Sequence, residues 1–146
     1  MTTTKNNKAA ELIICMPAKK RIVFVFGSES GNDSIAFRTA ERLKEEFSEN
    51  AEFVFANDLG AKEFNEKEFL GIDAASGIRK VELIESIDGL GESRGMSVHG
   101  FDLAFQLKLL EKTGRISGIK VIAIPLGYGI EKAVTETRER LRAILL

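Results

Sequence analysis

The strongest constraint on the fold is Arg21–Phe26 (RIVFVF), a near-continuous β-branched and aromatic run that stops at Gly27. Such a run suits a central strand buried on both faces, which is the signature of a parallel sheet covered by helices. The next segments agree. From Asp33 onward Ala36, Ala40, Leu43 and Phe47 recur at spacings of four, three and four, with Arg42, Lys44, Glu45 and Glu46 between them, the pattern of an amphipathic helix. Glu52–Ala56 reads as a second strand, Phe69–Ala75 (FLGIDAA) as a third strand running out at Asp73, and Val81–Ile84 (VELI) as a half-solvated edge strand. The residues after His99 are apolar over so wide an arc that a mostly buried helix is expected, with Gly114 as its stop. Val121–Pro125 (VIAIP) is a further buried strand. Ile130, Val134, Thr137, Leu141 and Ile144 form the inward face of a last helix.

Strands alternating with helices predict a three-layer α/β/α domain over 21–146, built on a mostly parallel twisted sheet with one antiparallel edge strand and right-handed crossovers. Residues 1–20 are expected to be a mobile or weakly placed segment outside that domain. In a chain of 146 residues with 44% apolar content there is material for one continuous core. Lysine plus arginine number 21 against 22 acidic residues, so no overall field favours a nucleic acid or an anionic membrane. No apolar run approaches the roughly 20 residues of a membrane helix, and Met1–Lys20 lacks the order of a signal peptide, so a cytoplasmic location is expected. Cys15 is the only cysteine, which excludes an internal disulfide and a multi-cysteine zinc cage.

Sheets of this kind place their sites at the carboxyl ends of the strands. Three polar residues fall there in the predicted topology. Asp33 lies in the turn after the first strand, Asp73 ends the third, and His99, the only histidine, opens the buried helix after a glycine-rich loop. Two carboxylates and an imidazole form a mixed oxygen and nitrogen set that suits nickel, zinc or a similar divalent ion and leaves coordination positions open. Each residue also has a plainer reading: Asp33 as a helix cap, Asp73 as a cap on a turn through its backbone neighbours, His99 as a hydrogen-bond partner of the preceding loop.

The stretch HGFDLAFQLKLLEKTGRISGIKVIAIP, His99–Pro125, resembles the most distinctive segment of the nickel-iron hydrogenase maturation endopeptidases, in which a histidine opens a helix of type H-x-x-D-L-x-x-x-L-K-L-L and an isoleucine-rich strand ends in proline. DSIAFRTAERL from Asp33 is similar to that family's first helix with its metal-facing carboxylate. LGIDAASGI is similar to the strand that carries the second one, at Asp73. The likeness covers about Arg21–Leu146.

This resemblance implies that Asp33, Asp73 and His99 contact a metal, and that the chain removes the C-terminal extension of a hydrogenase large-subunit precursor once nickel has been inserted there. The nickel would be carried by that precursor, with zinc or a similar ion as a surrogate. No serine or cysteine sits in a nucleophile elbow, so a conventional triad cannot be built. The chain departs from the family in two loops. Gly27 and Ser28 stand where Gly-Asn is usual, in a shortened loop, and NDLG, Asn57–Gly60, replaces the glycine-threonine-glycine loop that helps hold substrate. Asn57 and Asp58 are therefore the candidate substrate contacts. Two other readings remain open. FGSESGND resembles the phosphate loop of flavodoxins, which would make the chain a flavin-binding electron carrier; against it stand the absence of tryptophan and a lone Tyr128. The altered loops also suit a relative that binds a maturation partner without cleaving it.

Overall fold

The computed structural model describes residues 20–27, 31, 34–56, 67–88 and 98–146, with Ala56 and the first six residues of the last range described by backbone alone. The expected N-terminal segment falls, but for Lys20, outside the described residues. In chain order the elements are β1 (Arg21–Phe26), α1 (Ser34–Leu43), β2 (Ala51–Ala56), β3 (Glu68–Ala75), β4 (Glu82–Ile84), α2 (Val98–Lys112), β5 (Gly118–Pro125) and α3 (Ile130–Leu145). The strands form one sheet in the order β2-β1-β3-β5-β4. β2, β1, β3 and β5 are mutually parallel, and β4 lies antiparallel on β5, with Glu82 opposite Ala123. The sequence expectation of a parallel sheet with one reversed edge strand is met.

β1 is central because its side chains find apolar partners in both directions. Val23 and Val25 join Leu70, Ile72, Ile122 and Ile124 in a layer closed by α1 and α3, where Ile35, Ala36, Leu43, Val134 and Leu141 are buried. Phe24 and Phe26 point the other way, into a layer with Phe69, Val121, Ala123 and the α2 residues Ala104 and Leu107. This alternation follows from the two-residue period of a strand. Gly71 is required on the second face: a Cβ there would come within 2.8 Å of the Phe69 ring, which is fully buried and stacks on Phe24 with centroids 5.4 Å apart.

α1 presents Ile35, Ala36, Ala40 and Leu43 inward, and the turns that follow it still deliver the expected Phe47 to the core. Its outer edge meets α3 through Arg42 and Glu131 at 3.3 Å and through Glu46 with Arg138 at 3.0 Å. These exposed pairs align the two helices, each contributing at most about 1 kcal/mol. At the amino edge of the sheet Glu68 accepts from Arg21 at 3.0 Å and lies 3.4 Å from Lys120, joining the first residues of β1 and β3 to the third residue of β5.

α2 differs from expectation. Ala104 and Leu107 are buried, but Phe105 is 63% and Leu109 49% exposed. A helix laid on one face of a sheet can bury only a stripe of its circumference, so apolar residues all round do not make it an interior helix. It ends where expected, with Gly114 at a φ of 76° and the Arg115 amide donating to the Leu110 carbonyl at 2.9 Å. No helix among the described residues is long and apolar enough to cross a membrane.

Candidate functional site

Asp73 sits inside β3, which runs two residues further than the sequence suggests because Ala74 and Ala75 continue the ladder with Ile124 and Pro125 of β5. The Leu126 amide then donates to the Ala75 carbonyl at 2.9 Å, prolonging the pairing past the strand end. Asp73 is paired in register with Ala123 and is 0% exposed. Its Oδ1 accepts the Ala74 amide at 2.8 Å, which orients the carboxylate against the backbone. By strand alternation it belongs with Phe69, Gly71 and Ala75, on the side of the sheet that α2 covers. It is the one ionisable side chain among the buried residues described.

The topology brings the start of α2 to the same place. Residues 113–117 join the end of α2 to the amino end of β5, and the Ser117 amide ties this junction to the Lys67 carbonyl at 2.7 Å. α2 therefore runs back along the sheet. Its 15 residues span about 21 Å at 1.5 Å rise per residue, close to the roughly 23 Å of the eight-residue β5 at 3.3 Å. Its first turn, with the backbone of His99, thus comes to the carboxyl edge of the sheet on the Asp73 face. Ser34, the residue after Asp33, opens α1 with its amide donating to the Gly31 carbonyl at 3.2 Å.

Asp33, Asn57, Asp58 and the side chain of His99 lie outside the described residues. Among the described residues no group of three or more histidine, cysteine or acidic side chains is placed to hold a metal. The topology unites Asp73 with the element that carries His99, and the donor types, carboxylate and imidazole, fit a divalent ion of intermediate softness.

A polar tie beside this edge has no counterpart in the sequence pattern. In the loop after β5 the Tyr128 hydroxyl donates to Glu136 Oε2 at 2.6 Å, and Glu136 Oε1 accepts the Val81 amide at 3.3 Å. One carboxylate so joins the loop after β5, α3 and the approach to β4. The hydrogen bond to Glu136, then burial, then the carboxylate charge raise the Tyr128 pKa above its ordinary value of 10.0. Lys132 Nζ stands 5.5 Å from the centre of the Tyr128 ring. That ring is committed to the protein on its edge and on one face, which does not suit it as a flavin-stacking group. A surface groove lined by Phe37, Arg38, Glu41, Arg42, Phe55 and Ile130 belongs to the opposite layer, with α1 and α3, and adds nothing to the Asp73 side.

A mostly parallel, doubly covered sheet with a buried carboxylate at its carboxyl edge defines a class of α/β protein with its site at the strand ends. Within that class two solved structures share the fold. The hydrogenase maturating endopeptidase HybD from E. coli superimposes with a TM-score of 0.58 over 86% of this chain and 94% of its own, at 15% identity. The solution structure of an endopeptidase from Escherichia coli gives 0.59 over 85% and 93%, at 16% identity. No protein-family model matches the chain, and no curated protein matches it.

Proposed function

We infer that this protein is a hydrogenase maturation endopeptidase, which removes the C-terminal extension of a nickel-iron hydrogenase large-subunit precursor after nickel insertion. The observation that carries this reading is Asp73, a fully buried carboxylate at the carboxyl edge of β3 on the face where the first turn of α2 carries His99. The fold shared with two endopeptidases supports it, as does the segment His99–Pro125. In this reading Asp33, Asp73 and His99 contact the nickel that the precursor brings, and Asn57 and Asp58 contact the peptide beyond it. Held by these residues, the nickel would supply Lewis-acid chemistry at the scissile peptide bond, a route that would need no nucleophile elbow. Zinc would serve as a surrogate in metal titrations.

The test incubates the purified protein with nickel-loaded and nickel-free precursor and follows loss of the C-terminal extension by mass spectrometry. Cleavage of the nickel-loaded form alone is expected, and it should vanish in His99→Ala and Asp73→Asn. Equal cleavage of both forms would remove nickel recognition from the reading. Binding without cleavage would favour the non-catalytic relative, to which the NDLG loop and the shortened first loop point.

A further inference from the structure

α2 leaves uncovered a surface that neither the core nor the candidate site uses. Phe105 and Leu109 stand one turn apart on its outer side at 63% and 49% exposure. Lys108 and Lys112, at the spacings that share that side, are exposed beside them, and neither has an ion-pair partner among the described residues. An exposed phenylalanine and leucine side by side are not explained by the packing of the described residues, and such patches mark contact surfaces. The patch also continues the site: at 1.5 Å per residue Phe105 lies only about 9 Å along the helix axis from His99.

We propose that this stripe of α2 docks the folded body of the protein substrate, through an apolar socket on that partner rimmed by acidic side chains. The proposal rests on the endopeptidase reading, since it places the partner's body where its C-terminal segment can reach the Asp73 edge. Charge selects the occupant. A second copy of this chain meeting the stripe about a two-fold axis would gather two Lys108 and two Lys112 side chains in one patch, whereas an acidic rim neutralises them. Phe105 then supplies the buried aromatic anchor, and the lysines supply orientation and encounter rate.

The experiment measures binding of the nickel-loaded large-subunit precursor to the intact protein by calorimetry, at low and high salt. Phe105→Ser, and separately Lys108→Glu combined with Lys112→Glu, are expected to weaken binding at least tenfold with an unchanged melting temperature, and salt should weaken the wild-type complex. Wild-type protein that cleaves precursor while both variants bind it as tightly would overturn the docking face and leave the endopeptidase reading standing. A wild-type protein that neither binds nor cleaves precursor would remove both. A large drop in melting temperature for Phe105→Ser would show the ring covered by this chain itself, and a dimer in sedimentation that Phe105→Ser dissociates would show a second copy on it. Either result rejects the proposal.

Discussion

Truncating two leucines of the same helix, two residues apart, should give very different losses of stability. Leu107 is 0% exposed among Phe24, Phe26, Phe69 and Val121, while Leu109 is 49% exposed on the far side. Leu107→Ala removes buried methyl groups and leaves a cavity that the stacked rings of Phe24 and Phe69 cannot collapse into, so about 2 to 5 kcal/mol should be lost. Leu109→Ala forfeits only part of a transfer term worth about 1.5 to 3 kcal/mol for a full side chain, and water fills the space, so the loss should stay near 1 kcal/mol or below. Alanine's higher helix propensity favours both variants equally and cancels in the comparison. Urea unfolding followed by circular dichroism reads the two losses as shifts in midpoint at constant slope. Equal losses would mean that the outer side of α2 is covered, and would undo both the half-buried description of this helix and the docking face built on it.

Two further outcomes concern α3. The Thr137 hydroxyl is fully buried with no hydrogen-bond partner among the described residues, and a buried polar group left so costs about 1 to 3 kcal/mol; Thr137→Val keeps the branched shape and should raise the melting temperature by several degrees. A lower melting temperature would show that the hydroxyl is bonded. Tyr128 has its pKa raised by the bond to Glu136, so the native state holds the phenolic proton more tightly than the unfolded chain. The stability this contributes is present in full below pH 10 and is lost as pH rises through the native value. Unfolding curves between about pH 8 and 12 should therefore fall more steeply for the wild type than for Tyr128→Phe, where identical profiles would deny the Tyr128 to Glu136 bond.

Local pattern sufficed wherever one physical requirement acted alone. β1 was legible because both of its faces are buried, and α1 because its buried residues recur at helical spacing. Where partners are distant in sequence the pattern is silent. The end of β3 is set by its ladder to β5, some 50 residues later, and not by the aspartate that interrupts its apolar run. The depth of α2 depends on how much else covers it, which its own composition cannot express. Glu136 looks like any charged residue of a surface helix, and its two acceptor bonds reach 8 and 55 residues away.

Asp73 stands between these cases, because its geometry bears on both the plain and the functional reading. The sequence admits it as a cap on its backbone neighbours, and its Oδ1 does accept the next amide, at 2.8 Å. That bond needs only a small oxygen acceptor, which serine or asparagine would also supply, so it does not by itself call for a carboxylate. A fully buried carboxylate carries a desolvation cost that its partners must offset, and an uncharged residue of similar size carries less of it. Residues that break the local rule in this way are expected where function requires them. Asp73→Asn separates the two readings, because it preserves the acceptor and removes the charge. A cap would leave metal affinity and processing untouched, whereas a nickel contact would lose both while the fold held or gained stability.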